Sequence, residues 1–119
     1  MKIIVQKFGG SSLANPNGRD NTVKKIKEAI KEGYNPVVVV SAMGRKGSPY
    51  ATDTLIAFAK QVHLDANSRE LDLLMSCGEV ISAVILCQAL KKDDLEAVAL
   101  TGAQCGIITD ENFGENLVL

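Results

Sequence analysis

Apolar and polar positions along the chain switch between two periods, and the switches divide it into strands and helices. Residues 2–8 are a short run rich in Ile and Val that stops at Gly9-Gly10, as a buried strand does when it meets a turn. Asn15-Pro16-Asn17-Gly18 reads as a turn cluster. Val23, Ile26 and Ile30 then recur at spacings of three and four with charges between them, which predicts an amphipathic helix ending at Gly33. The four valines at 37–40, bounded by Pro36 and Ser41, fit a parallel strand covered on both faces. Residues 45–50 form a loop containing Gly and Pro, after which Thr52-Asp53 can cap a helix over 55–63.

Asn67-x-x-Glu70 resembles a capping box and opens a long helical pattern. Leu71, Leu74, Met75, Ile81 and Ile85 lie on related faces down to Lys91-Lys92, and Gly78 is expected to interrupt it. Residues 97–100 predict a third strand ending at Thr101-Gly102. Residues 107–109 read as a short hairpin-like piece, and Leu117-Val118-Leu119 is one more apolar run. Parallel neighbours need a crossover, usually helical, so this order predicts an α/β fold: a mainly parallel sheet layered by helices. There is no internal repeat. If the last apolar run is a strand, its neighbours are partly missing from these residues, so the expectation is an incomplete domain within a longer chain.

Composition narrows the function classes. The 119 residues suffice for one domain with a core but not for two. Apolar residues make up 46% and charged residues 23%, with 13 basic against 14 acidic, so no basic footprint for nucleic acid exists. No apolar run is expected to reach the roughly 20 residues of a membrane span. Met1-Lys2 leads straight into strand-like sequence, and a cytoplasmic protein is expected. Cys77, Cys87 and Cys105 make no Cys-x-x-Cys pair and His63 stands alone, so no metal site is expected. Cys77 and Cys87, ten positions apart on one helix, would be separated by roughly 15 Å, too far for a disulfide. Free buried thiols are the expectation, with Met43 and Met75 as packing residues.

In open α/β sheets ligands gather at the carboxyl ends of the strands. Three strands here end in small or glycine-rich turns, Gly9-Gly10-Ser11-Ser12, Ser41-Ala42-Met43-Gly44 and Thr101-Gly102, which should lie side by side. Consecutive glycines let backbone amides approach an anion such as phosphate, and Ser11 and Ser12 add hydroxyls. Lys7, at the end of the strand, either reaches charge on a transferred phosphoryl group or is a solvated edge lysine. The glycine pattern is neither that of the phosphate-binding loop nor that of the dinucleotide fold. Glu79, the only charged residue between Cys77 and Leu90, must find solvent, a partner cation or a ligand's ammonium. Gly78 beside it suits close helix packing or a ligand. For Thr52 and Asp53 a simple cap is the commoner use of such a pair, and Ser41 is either a ligand contact or only a strand terminator.

Taken together, Lys7-Phe8-Gly9-Gly10-Ser11-Ser12, Val40-Ser41-Ala42-Met43-Gly44, Thr52-Asp53, Ser76-Cys77-Gly78-Glu79 and the segment from Leu100 to Ile107 resemble aspartate kinases of the amino acid kinase family, in order and at matching spacings. The resemblance spans nearly the whole chain. It implies a three-layer sandwich and ATP-dependent phosphorylation of the L-aspartate β-carboxylate, with Mg2+ accompanying the nucleotide, at the head of lysine, threonine and methionine biosynthesis. By that resemblance Lys7 is catalytic, Lys7, Phe8, Gly9, Gly10 and Ser11 hold the ATP phosphates, and Ser41, Thr52 and Glu79 bind aspartate. It also implies a homo-oligomer. Residues 45–51 lengthen the link that many members have between Met-Gly and Thr-Asp, as in a subgroup associated with diaminopimelate inhibition. The family's later kinase segments and its regulatory ACT domains have no counterpart here. Other readings are a different amino acid kinase, which would lack Ser-x-Gly-Glu and Thr-Asp in this arrangement, and a non-catalytic anion-binding α/β module.

Overall fold

The computed structural model describes residues 1–65 and 68–119. Asn67, half of the expected capping box, lies outside the described residues. Strand β1 (Lys2–Phe8) pairs in parallel with β2 (Tyr34–Val40), from Lys2 opposite Tyr34 to Phe8 opposite Val40. The two-residue period sends Ile4, Gln6, Phe8, Val38 and Val40 toward the helices. The opposite face carries Ile3, Val5, Val37 and Val39, which are 61%, 66%, 50% and 45% exposed. The valine run is therefore covered on one face instead of two, because the described helices supply a single layer against the sheet.

That layer is built by helices α2 (Pro16–Lys31) and α4 (Ser68–Lys92). The Asn15–Gly18 cluster proves to be a helix start: the Asn15 side chain accepts a hydrogen bond from the Gly18 amide at 2.8 Å, and Pro16 takes the first helical position. The same residue types serve turns and helix starts, so the sequence pattern alone did not separate them. Gly33, with φ of +92°, sits just past the helix end as expected. The buried stripe of α2 is Thr22, Val23, Ile26 and Ala29, with Ile30 left 43% exposed. Phe8, Leu13, Val23, Ile26, Leu86 and Leu90 form the core, with Val38, Val40, Met43, Leu95 and Ala97 packed around it.

Helix α3 (Thr52–Val62) starts behind Ala51, which is buried and extended, so neither Thr52 nor Asp53 is its cap. Helix α4 runs unbroken through Gly78 and buries Gly78, Ser82, Leu86 and Leu90, every fourth residue. Its 25 residues are long and apolar enough to cross a membrane by length and composition, contrary to the sequence expectation. The buried stripe packs on α2, α3 and β2, which is also how a core helix is used. Residues 95–100 alternate in burial as a strand would, with Leu95 and Ala97 on the core and Val98 80% exposed, yet they have no ladder partner among the described residues. Residues 107–109 and 117–119 meet in an antiparallel bridge, Thr109 to Val118. All three cysteines are free, but Cys77 and Cys105 are exposed, not buried.

Candidate functional site

The site grows from the carboxyl end of β1. Phe8 is buried and anchors the strand end, while Lys7 is exposed on the uncovered face of the sheet. Gly9 is extended, with φ of −80° and ψ of 173°, and introduces the single-turn helix α1 (Gly10–Leu13). A β-carbon added at Gly9 would meet nothing within 4 Å, so the backbone is open to a ligand there. One at Gly10 would lie 2.5 Å from the carbonyl oxygens of both Ala42 and Gly44. The Gly44 amide donates to the Gly10 carbonyl at 2.9 Å and the Ser41 amide to the Phe8 carbonyl at 3.3 Å. The first two strand-end turns are thus in direct backbone contact, as the sequence predicted. The amides at the start of α1 have no acceptor within that helix, as at any helix start, although Ser12 donates to the Gly9 carbonyl at 3.1 Å.

The second turn is tied to the segment that follows it. Gly44 has φ of +86°, and a β-carbon there would run into the Ser48 side chain. The Ser48 hydroxyl accepts from the Arg45 amide at 3.3 Å, and its carbonyl accepts from the Thr54 hydroxyl at 2.6 Å and the Ala51 amide at 3.2 Å. The inserted loop is thereby folded back so that Thr52, half-buried, opens α3.

Gly78 brings α4 to the same place. A β-carbon on it would lie 2.8 Å from the Tyr50 carbonyl, 3.1 Å from the Ala42 methyl and 3.2 Å from Leu55 Cδ1. Close helix packing is therefore what Gly78 provides, and it draws Glu79 toward the segment holding Ser41 and Thr52. Glu79 is exposed, the solvent option among the three the sequence left open. Its carboxyl nevertheless loses enough water to nearby protein that its pKa is raised. The third expected turn does not join this group through its hydrogen bonds: Thr101 and Gln104 bond one another, and Gly102 accepts from Ile107.

Two features escaped the sequence reading. Gly18, Arg19 and Thr22 of α2 grip the carbonyl end of α1: the Thr22 hydroxyl lies 3.3 Å from the Ser12 carbonyl, and Arg19 Nη1 donates to the Leu13 carbonyl at 3.0 Å. The signal available was a glycine placed in the first turn of a helix, where it is intrinsically unfavourable. The other is the segment 110–117, where Asp110 accepts from the amides of Asn112 and Leu117, which hold its carboxyl below the usual range. This segment docks on α4 through the Gly114 amide and Asp72, 2.7 Å apart. Among the described residues no three His, Cys, Asp or Glu side chains gather as a metal site.

Known proteins resemble this chain in sequence and in fold. Aspartokinase 1 of Bacillus subtilis is 54% identical over 111 residues, 93% of this chain and 28% of that protein. The aspartokinase of Geobacillus stearothermophilus is 40% identical over all 119 residues, again 28% of its length. The crystal structure of aspartate kinase from Synechocystis superposes with a TM-score of 0.72 at 38% identity, covering 81% of this chain and 16% of that one. The chain thus spans little more than a quarter of the curated relatives it matches. Residues 2–118 fit the pattern of the amino acid kinase family, and with a parallel α/β sheet whose glycine turns meet at the strand ends, the chain belongs to that family.

Proposed function

We propose that these residues form the phosphate- and amino-acid-binding part of an aspartate kinase, which transfers the γ-phosphoryl group of ATP to the β-carboxylate of L-aspartate. The observation that carries the reading is the backbone contact of Gly10 with Ala42 and Gly44, which joins the phosphate turn to the strand end bearing Ser41. The names of the similar proteins support the same substrate. A diaminopimelate-inhibited member is the subgroup we favour, from the length of the 45–51 link. We further take the full-length protein to be a cytoplasmic homo-oligomer with additional kinase segments and ACT domains.

In this reading a carboxylate oxygen of aspartate attacks the γ-phosphorus and the bond to the ADP oxygen breaks, so no protein nucleophile is needed. Lys7 offsets the negative charge on the transferring group, and the amides and hydroxyl at Phe8, Gly9, Gly10 and Ser11 hold the phosphates. Ser41 and Thr52 offer hydroxyls to aspartate, and ionised Glu79 pairs with its ammonium. A β-carbon built at Gly9 would meet nothing within 4 Å, which leaves space beside that backbone. Mg2+ would arrive with the nucleotide and offset phosphate charge.

The test is an assay for aspartyl hydroxamate from ATP, aspartate and hydroxylamine. Turnover is expected from the full-length protein and none from the 119-residue chain alone. Failure of the full-length protein to use aspartate, with turnover on another amino acid, would reassign the substrate.

A further inference from the structure

Helix α1 is a single turn whose cap makes no side-chain hydrogen bond, and one isolated turn has no stability of its own. Its orientation must come from outside: the Gly44 amide pins the Gly10 carbonyl at its amino end, and α2 holds its carbonyl end. The Thr22 hydroxyl lies 3.3 Å from the Ser12 carbonyl and 3.0 Å from the Gly18 carbonyl, so its one hydrogen serves both. Arg19 reaches the Leu13 carbonyl at 3.0 Å, and Leu13 itself is 1% exposed. Gly18 makes the approach possible: a β-carbon there would come within 2.5 Å of the Ser12 carbonyl oxygen.

Building on the aspartate kinase reading, we propose that Thr22, with Gly18 and Arg19, is a positioning residue for the ATP phosphates: it fixes the tilt of α1 and hence the aim of the amides at Gly10 and Ser11. Thr22 is 2% exposed and itself touches no substrate. With Gly10 pinned to the Ala42–Gly44 turn, the hold on the carbonyl end sets how α1 tilts about that point, and the tilt turns the amides at Gly10 and Ser11. A misplacement of about 1 Å at a reacting group is enough to slow a reaction by about 100-fold.

The experiment is steady-state kinetics of the full-length enzyme carrying Thr22→Val, which keeps the shape and removes the hydroxyl, beside Thr22→Ser, which keeps it. For Thr22→Val the KM for ATP should rise about tenfold, with the KM for aspartate within about twofold of the parent and Thr22→Ser near the parent in both. Equal rises in both KM values, or no change in either, would overturn the proposal while leaving the parent's aspartate kinase activity as it stands. Should Thr22→Val not fold, Arg19→Met reads the same split: an ATP-selective rise supports the grip on α1, and an unchanged KM for ATP refutes it.

Discussion

Lys7 stands on the sheet face that no described helix covers, so removing its side chain forfeits little packing. Lys7→Ala in the full-length enzyme should lower kcat by at least about 100-fold, the scale of losing one preorganised charge donor. Glu79 carries a different prediction. Loss of hydration raises its pKa, and only the ionised form can pair with an ammonium. As pH falls through that raised value the group takes up a proton, so the KM for aspartate should climb on the acid side. Glu79→Gln should raise the KM at neutral pH by roughly tenfold or more and flatten this acid limb. A mutant profile parallel to the parent's would assign the limb to another group.

At the scale of elements, Gly78 sets how near α4 comes to the loop before α3. Gly78→Ala gains up to about 1 kcal/mol of helix propensity, but its methyl would lie 2.8 Å from the Tyr50 carbonyl, and such overpacking costs about 1–3 kcal/mol. The overpacking should win, with a net loss of about 1 kcal/mol in urea unfolding and a raised KM for aspartate. This contact also marks the boundary of what the sequence made legible. β1, β2, α2 and the meeting of their turns followed from apolar period and glycine position, since both are local signals. The continuity of α4 did not follow, because a glycine in a helix reads as a break until its packing partner is known. The α3 cap was misread for a similar reason: Thr52-Asp53 has the right chemistry, but buried Ala51, fixed by the Ser48 carbonyl, sets the helix start. Residues 97–100 carry a strand's alternation, but a ladder needs a neighbour, and the sequence of one segment does not supply one.

The whole molecule is thin, 49 × 33 × 16 Å, as expected of one sheet with one helical layer. Its accessible surface is 8452 Å2, about 2,000 Å2 above that of a compact protein of this mass. The radius of gyration, 15.7 Å, likewise exceeds the roughly 13.5 Å of a compact domain. If the rest of the kinase domain covers the Ile3, Val5, Val37 and Val39 face, Val5→Asp should destabilise the full-length enzyme by about 3 kcal/mol in urea unfolding. A change within about 0.5 kcal/mol would leave that face open to water. With the turn at residues 9–12 and the Ser41 strand end joined atom to atom, the two cannot open and shut against each other. A closing enzyme must carry them as one jaw, and the hinge and the moving jaw have to be sought elsewhere in the full-length protein.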